Sequence, residues 1–125
     1  METGQGGSGP VARATYHYYA PGYETSSLYC ADQFNKFLPV SSDHWLLQYP
    51  WTAYCNDDGL GPMSQDKCGK CLKVTNTATG QSVKTRVVDM CGQGGVDMDP
   101  LGFNAIDGDG QGKATGDMAV RLDWC

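Results

Sequence analysis

The sequence predicts a mostly β-sheet domain with minor helix, closed into a barrel, and two observations carry this prediction. Short segments rich in β-branched and aromatic residues recur along the chain, separated by tracts of Gly, Pro, Asn and Asp. The chain also contains six cysteines among 125 residues, an even number that indicates three disulfides and an oxidising compartment. Many short strands are typical of a closed barrel, in which no strand edge stays exposed.

Size and charge bound the partners that we expect. A chain of 125 residues makes one domain with a small core, and its 17 glycines indicate a loop-rich fold that needs disulfide staples. Nine basic residues face fourteen acidic ones and no basic run exists, so nucleic acid is an unfavourable partner except as an RNA substrate. No apolar run approaches the roughly 18 residues of a membrane span. We therefore expect a monomer without a membrane partner.

The N-terminal segment differs in composition from the rest. Residues 1–10 are rich in Gly and Ser and predict a flexible leader, native or left over from cloning, before a domain at residues 11–125. No charged and then apolar segment follows Met1, so no signal peptide is visible. With six cysteines, we interpret the chain as a mature secreted, extracellular domain, and the alternative is a cytosolic protein with free thiols.

The elements predicted before the centre of the chain are, in order, a strand at residues 11–19, a helical turn near 34–37, a strand at 51–55 (WTAYC) and a surface loop at 56–66. The first strand (VARATYHYY) alternates, which places Tyr16 and Tyr18 on one face and Thr15 and His17 on the other. Pro21 follows and ends the segment.

A β-hairpin at residues 67–91 (KCGKCLKVTNTATGQSVKTRVVDMC) is predicted at the centre of the chain. Residues rich in Val flank a turn-forming tract at 76–80, and three of the six cysteines lie in this segment. Disulfides from these cysteines would connect the hairpin to the rest of the chain. The strand end at Asp89 is expected to open toward a polar site.

The C-terminal third is predicted to hold a short helix and a closing strand. Asp99 followed by Pro100 is a typical helix start, and the helix is expected to run to about Ile106. Residues 107–115 are rich in Gly and predict a loop. The closing strand at 118–125 alternates, and one face would carry Met118, Val120, Leu122 and Trp124.

Two motifs have metal or redox interpretations that the sequence does not support. Residues 68–71 (CGKC) could form a redox pair or half a zinc site, but neither a βαβ setting nor a second ligand pair is present, so two structural disulfides are favoured. Residues 107–112 (DGDGQG) are similar to the start of a calcium loop. Its seventh and twelfth positions hold Lys113 and Met118, so a polar turn is expected. We expect no metal and no cofactor.

Several polar and aromatic residues are candidates for a functional site. Asp89, Asp97 and Asp99 flank a glycine-rich tract with Gly94 and Gly95, where a ligand could approach the backbone, and paired carboxylates can act on a glycosidic bond. The alternative is that Asp97 and Asp99 cap the turn and helix. His17 could be a general acid or base, or a hydrogen-bonded surface group. The aromatic residues that could stack on sugars, or pack in the core, include Trp45, Trp51, Trp124, Tyr16 and Tyr18.

These segments together resemble barwin, the domain of wound-induced plant pathogenesis-related proteins. The matching segments span nearly the whole chain after the leader, with all six cysteines in order; they are 13–19 (RATYHYY), 28–31 (LYCA), 51–55 (WTAYC), 68–76 (CGKCLKVTN), 78–80 (ATG), 86–91 (RVVDMC), 94–99 (GGVDMD) and 103–107 (FNAID). The resemblance implies a six-stranded double-psi β-barrel related to that of expansins. It also implies the disulfides Cys30–Cys68, Cys55–Cys91 and Cys71–Cys125.

The family's activities are implied by the same resemblance. Its members are extracellular defence proteins that bind chitin-type or glucan oligosaccharides weakly, and some cleave RNA. Against the His-Phe-Asp signature of expansins and related endoglucanases, residues 95–97 (GVD) keep the Asp but not the His. Of the two histidines attributed to RNA cleavage, His17 matches the first, and Asp117 stands where the second is expected.

The resulting hypothesis is a secreted defence-type protein, acting against fungi or bacteria, that binds wall oligosaccharides without turnover. The resemblance puts His17, Asp89, Asp97 and Asp117 near one open face. The glycines at 92, 94 and 95 would leave room there for a chain-like ligand, and we expect Tyr16 and Tyr18 to stack on sugar rings. The alternatives are enzymes, either a ribonuclease that uses His17 with Asp117 or a glycan hydrolase that uses Asp97. A carboxylate beside phosphate is repulsive, which disfavours the ribonuclease.

Overall fold

In the computed structural model, residues 9–17, 28–36, 47, 50–55, 64–91 and 95–125 are described. Six strands in these ranges form a closed barrel in the order β1–β5–β2–β4–β3–β6. The strands are β1 (Val11–Tyr16), β2 (Trp51–Cys55), β3 (Cys71–Asn76), β4 (Ser82–Cys91), β5 (Val96–Met98) and β6 (Met118–Trp124). The helices are α1 (Ala31–Lys36), α2 (Pro100–Ala105) and α3 (Gln111–Thr115), with a 3-10 turn at Gln65–Lys67. The predicted mostly β barrel of six strands is confirmed.

The central hairpin is confirmed as the local unit of the barrel. β3 and β4 pair antiparallel, with Val74 opposite Val83, and the turn closes through the Gly80 N–H, which donates to the Asn76 carbonyl at 2.8 Å. Gly80 has a φ of 78°. This backbone conformation is energetically unfavourable for residues that have a side chain but costs glycine almost nothing. The other neighbouring strands of the barrel are not consecutive in the described chain, so their pairing depends on the tertiary fold.

The barrel interior is filled from every strand. On β6 the predicted alternation is confirmed, because Met118, Val120 and Leu122 are buried and Trp124 is partly buried. All five residues of β2 are buried, which is why its sequence shows no alternation of polar and apolar residues. α2 closes the core through Phe103, which is 1% exposed.

All six cysteines are paired, and the three bridges are those that the resemblance implied. Cys30–Cys68 ties the start of α1 to the turn before β3, and its Cα atoms lie 5.7 Å apart. Cys55–Cys91 joins the ends of the parallel strands β2 and β4. Cys71–Cys125 joins the start of β3 to the C-terminal residue. Each bridge therefore connects segments that are distant in sequence.

Two elements differ from the sequence prediction. Residues 107–115, predicted as a loop, contain α3, because the Asp107 carboxylate accepts the N–H groups of Gly112 and Lys113 at 2.7 and 2.9 Å and so satisfies the free donors of its first turn. The tract around Asp97, to which the sequence analysis assigned no strand, is β5, which lies between β1 and β2. Isolated strands of three residues have little sequence signal of their own.

The element boundaries otherwise agree closely with the prediction. α2 begins after Asp99, whose carboxylate accepts from the Leu101 N–H at 3.5 Å, with Pro100 in the first turn. β1 ends at Tyr16, while Tyr18 and Tyr19 lie outside the described residues, as do residues 56–63 of the predicted loop. α1 begins at Ala31, earlier than the helical turn predicted near 34–37.

The first described residues are attached to the barrel. Gly9 donates its N–H to the Asp123 carboxylate at 2.9 Å, and the Pro10 carbonyl accepts from the Leu122 N–H at 2.9 Å. Two residues assigned to the leader thus contact the barrel, and residues 1–8 lie outside the described part. No helix in the described ranges is both long enough and apolar enough to cross a bilayer.

Candidate functional site

A polar surface begins on the outward face of β1. Arg13 and Thr15 alternate with the buried Ala14, and His17 follows at the next outward position, just beyond the strand. The His17 side chain is exposed, and its backbone N–H donates to the Met98 carbonyl of β5 at 2.8 Å. The strand pairing therefore fixes the backbone of His17 although β1 itself ends before it.

Asp97 lies beside Thr15 because β1 and β5 run parallel. Thr15 and Asp97 are register partners, and the Thr15 hydroxyl donates to the Asp97 carboxylate at 2.8 Å. Both side chains are half-buried. This contact orients the carboxylate and leaves its second oxygen available as an acceptor.

The register extends this pair into a row across four strands. Asp97 is opposite Ala53 of β2, and Ala53 is in turn opposite Asp89 of β4. Because register partners project from the same side of a sheet, Thr15, Asp97, Ala53 and Asp89 share one face, which we call the polar row. At about 4.8 Å between neighbouring strands, the Cα atoms of the two aspartates lie roughly 10 Å apart.

Two backbone N–H groups help to position Asp89. One carboxylate oxygen accepts the N–H of Tyr29 at 2.8 Å and that of Met90 at 2.9 Å. Tyr29 precedes Cys30, whose bridge to Cys68 anchors that segment. Asp89 is thus fixed at the far end of the polar row by a disulfide-held loop.

Asp117 joins this side of the barrel through Arg13. The Arg13 Nε donates to the Asp117 carboxylate at 2.7 Å, and the Thr115 hydroxyl approaches its other oxygen at 3.3 Å. The hydrogen bond from Arg13 lowers the pKa of Asp117 below its usual value. Asp117 is therefore ionised at neutral pH, with its charge offset by the guanidinium.

One predicted ligand residue, Tyr16, is placed away from the polar row. Tyr16 projects from the opposite face of β1 and packs edge-on against Phe103 of α2, with ring centroids 5.0 Å apart. It borders a separate depression of about 90 Å³, also lined by Pro100, Asn104 and Lys113. Tyr18 and Gly94 lie outside the described residues, so their roles stay predictions.

Gly95 is buried against β1 instead of facing open space. Its φ is 85°, and a Cβ there would lie 1.9 Å from the carbonyl oxygen of Arg13. The Gly95 carbonyl also accepts the Cys55 N–H at 3.0 Å. The close approach of β1 to β5 therefore accounts for this glycine, whereas the sequence suggested room for a ligand.

Asp99 and Asp97 have different roles although they are two residues apart. Asp99 is 1% exposed and caps α2, and burial raises its pKa. Asp97 does not contact the helix end; it accepts the Thr15 hydroxyl in the polar row. The capping interpretation is thus correct for Asp99 alone.

The tryptophans within the described residues belong mainly to the core. Trp51 is buried, and Trp124 is partly buried, with its ring centroid 5.4 Å from that of Tyr54. Trp45 lies outside the described residues. Among the described side chains, no group of three or more His, Cys, Asp or Glu residues is arranged to hold a metal ion.

Sequence reasoning missed Arg13 and Thr15 as site residues. Both precede His17 at spacings of two in an alternating strand, so their shared face was readable from the sequence. Their partners were not readable, because the pairing of β1 with β5 joins residues more than eighty positions apart.

Comparison with known proteins gives a consistent family and fold. The model of the Barwin family matches residues 8–125. Cerato-platanin 3 from M. perniciosa has a similar structure, with a TM-score of 0.69, 18% sequence identity, and coverage of 92% of this chain and 93% of that chain. The solution structure of the fungal elicitor cerato-platanin has a TM-score of 0.66 and 22% identity, covering 90% and 91% of the two chains.

A larger protein contains the same fold as one part. The expansin of Clavibacter michiganensis has a TM-score of 0.59 and 18% identity; the match covers 94% of this chain and 50% of that chain. The chain therefore corresponds to about half of the expansin. At these identities the likeness establishes the barrel fold.

Proposed function

Because this chain belongs to the Barwin family, we propose that it is a secreted, cell-wall-associated defence-type protein that binds neutral wall oligosaccharides of the chitin or glucan type weakly and without turnover. The observation that carries the proposal is the polar row, in which Asp97 and Asp89 face the same side of four adjacent strands. The structural neighbours, described as a fungal elicitor and an expansin, support an extracellular setting for this fold.

The polar row suits sugar hydroxyl groups. A carboxylate accepts hydrogen bonds from hydroxyls, and bonds to a charged group are worth more than those between neutral groups. Asp97 is oriented by Thr15 and Asp89 by two backbone N–H groups, so little ordering is needed when a ligand arrives. The exposed His17 at the end of β1 can extend contacts along a chain-like ligand.

Weak binding is expected from this geometry. The row is not a continuous open surface, because Ala53 between the two aspartates is 1% exposed. Tyr16, the aromatic residue expected beside the row, faces the other side of β1. The row offers a few hydrogen bonds, and the entropy lost when a flexible ligand is ordered offsets part of their free energy. We therefore expect dissociation constants roughly in the micromolar-to-millimolar range. Tyr18 stays a predicted stacking residue.

An NMR titration with chitin and glucan oligomers tests this proposal. Asp97→Ala should weaken binding about tenfold, because it removes an oriented acceptor, while the fold stays intact. Asp109→Ala is the matched control, since Asp109 is an exposed carboxylate that precedes α3 and accepts only the Gln111 N–H among the contacts described. Tyr18→Ala adds an arm for the predicted stacking residue.

The titration has clear negative outcomes. No chemical-shift change at millimolar ligand, or changes confined to residues 56–66, would contradict a binding site at the polar row. Equal weakening by Asp97→Ala and Asp109→Ala would mean that lost negative charge, rather than the row, determines the affinity.

RNA cleavage is the second candidate, and it rests on the placement of His17, Arg13 and Asp117 on one side of β1 and β6. An exposed imidazole and a guanidinium could act on a phosphodiester. However, a low pKa leaves Asp117 without a proton to donate, so we expect weak or no cleavage. Asp117→His should raise cleavage, and strong cleavage by the unmodified protein that is lost in His17→Ala would overturn this expectation.

A further inference from the structure

The positive charge of the chain is concentrated in the central hairpin. Residues 67–91 contain five of the nine basic residues and one of the fourteen acidic ones, Asp89, so the hairpin carries a formal charge of +4 in a chain whose net charge is −5. The remaining residues are correspondingly acidic. The overall charge therefore hides a strong asymmetry between the hairpin and the rest of the barrel.

The barrel register gathers these basic residues on one surface. Lys73 of β3 is opposite Lys84 of β4, while Arg86 and Arg121 occupy outward positions on β4 and β6. Leu72, Val74 and Leu122, which alternate with outward positions on β3 and β6, are fully buried. We call the outward set Lys73, Lys84, Arg86 and Arg121 the basic face.

The two arginines are held at opposite ends of the basic face. Arg86 Nη1 donates to the Gly69 carbonyl at 3.2 Å, and Arg121 Nη1 donates to the Gly9 carbonyl, also at 3.2 Å. These contacts to backbone carbonyls restrict the positions of both guanidinium groups. An arginine fixed in this way loses less conformational freedom when it binds an anion.

The two lysines repel each other at the centre. Like charges directly opposite on neighbouring strands destabilise a sheet, and neither Lys73 nor Lys84 forms an ion pair within the described residues. Asp123 lies on the other side of Lys73 and accepts the Gly9 N–H. Because Asp123 offsets at most one positive charge, the face keeps a clear positive excess, which an anion bound across the lysines would relieve.

We propose that the basic face binds an acidic polysaccharide that carries a carboxylate on most of its sugar rings, at a site distinct from the polar row. A polyuronate has one charge per ring separated by neutral hydroxyl groups. Nucleic acid has one charge per about 1.7 Å of duplex, and beyond the basic face it would meet the acidic remainder of the barrel. The preference for a glycan over other polyanions rests on the wall association proposed above.

Binding to polygalacturonate, measured by affinity electrophoresis or calorimetry at low salt, tests this proposal. The comparison ligands are a fully methyl-esterified chain of the same length, an RNA homopolymer and anionic lipid vesicles. Lys73→Gln and Lys84→Gln should each weaken polygalacturonate binding about twofold to fivefold, because each removes one charge contact at the protein surface. Lys113→Gln is the matched control, since Lys113 lies on α3 outside the basic face and should leave binding unchanged.

Each outcome supports or overturns the proposal that the basic face binds an acidic polysaccharide. Salt-sensitive binding of polygalacturonate, absent for the esterified chain and reduced by the two lysine variants, supports it. Absent binding, equal binding of the ester, or an effect of Lys113→Gln equal to that of Lys84→Gln overturns it. Tighter binding of RNA or vesicles than of polygalacturonate also overturns it. Asp97→Ala titrated with neutral oligomers reports the polar row separately, so failure of one site is distinguishable from failure of the other.

Discussion

The polar row and the basic face meet along β4 but organise their side chains differently. In the polar row each carboxylate is oriented by a short hydrogen bond, from Thr15 to Asp97 and from the Tyr29 N–H to Asp89, both at 2.8 Å. In the basic face, Lys73 and Lys84 sit opposite each other with no ion pair in the described chain. The first arrangement favours directional recognition of neutral hydroxyls, and the second favours charge attraction that salt screens.

Each surface also has its own disulfide. Cys55 and Cys91 are register partners that follow Ala53 and Asp89 by two positions, so this bridge borders the polar row. Cys71 is opposite Arg86, so the Cys71–Cys125 bridge borders the basic face. The support of each surface can therefore be removed separately by deleting the disulfide that borders it.

Removal of either bordering disulfide should have the largest effect. The bridges span 36 and 54 residues, and the chain-entropy model gives a loss of about 4 kcal/mol in the free energy of unfolding for each. Urea denaturation of Cys55→Ala/Cys91→Ala and of Cys71→Ala/Cys125→Ala measures this loss. The first pair should also weaken binding of neutral oligomers, and the second should weaken binding of polygalacturonate. If each pair of substitutions weakens the binding of both ligands equally, the two surfaces are not independent.

Gly95→Ala should damage the polar-row side of the barrel alone. The positive φ and the overlap of a Cβ with the Arg13 carbonyl together should lower the free energy of unfolding by about 3 kcal/mol. Gly110→Ala is the control, because Gly110 has a φ of 72° with no atom within 4 Å of its Cβ position, and it should lose only about 1 kcal/mol. Similar losses for both variants in thermal or urea unfolding would show that backbone conformation, not contact with β1, makes Gly95 necessary.

Asp99 and Asp117, at the margin of the polar row, should respond oppositely to pH. Asp99→Ala removes the α2 cap and should cost about 1 kcal/mol. The pKa of Asp99 is raised, so the folded state holds its proton more tightly, and its contribution to stability is full below pH 3.8 and lost as pH rises through the folded-state pKa. The pKa of Asp117 is lowered, so its contribution is present above pH 3.8 and lost as pH falls through the folded-state pKa.

The two pH effects can be separated by variants that keep the side-chain shape. Relative to the unmodified protein, Asp99→Asn should gain stability as pH rises from 3 toward 7, and Asp117→Asn should lose stability over the same range. Urea unfolding at several pH values is the measurement. Parallel pH profiles for the two variants would contradict the opposite environments of these carboxyl groups.

Lys84→Gln should change the free energy of unfolding less than the variants above, and it should raise that free energy. Removing one of two facing lysines relieves their repulsion and should raise the free energy of unfolding by about 0.5 kcal/mol at low salt. Lys73→Gln should gain less, because it also removes the attraction to the neighbouring Asp123. Both gains should vanish near 1 M salt, where charges are screened within about 3 Å. A loss of stability in Lys84→Gln would mean that the aliphatic part of the side chain matters more than its charge.

Local features of the fold were largely predictable from the sequence. The β3–β4 hairpin follows from two β-prone runs around a turn-forming tract, and α2 follows from the Asp99–Pro100 start, because both signals are read over a few neighbouring residues. The burial of alternate residues on β6 follows from the period of a strand. The disulfide pairing was given by resemblance to barwin and not by cysteine spacing, which leaves fifteen pairings open for six cysteines.

The functional surfaces were decided by tertiary structure. β5 has only three residues, and what makes it a strand is its place between β1 and β2, which also brings Asp97 to Thr15. The sequence predicted Tyr16 as a residue that stacks on sugars, and the packing of α2 on the barrel decides that its ring contacts Phe103.

The charge pattern also depends partly on the sequence and partly on the tertiary structure. The sequence determined the composition, the net charge of −5 and the absence of a basic run. Arg121 became a neighbour of the hairpin lysines only because β6 pairs with β3, and Lys73 met Lys84 through the register of the hairpin. Local signals fix turns, caps and alternation because they act within a few residues. The positions of charges in space depend on barrel closure, which couples residues from opposite ends of the chain.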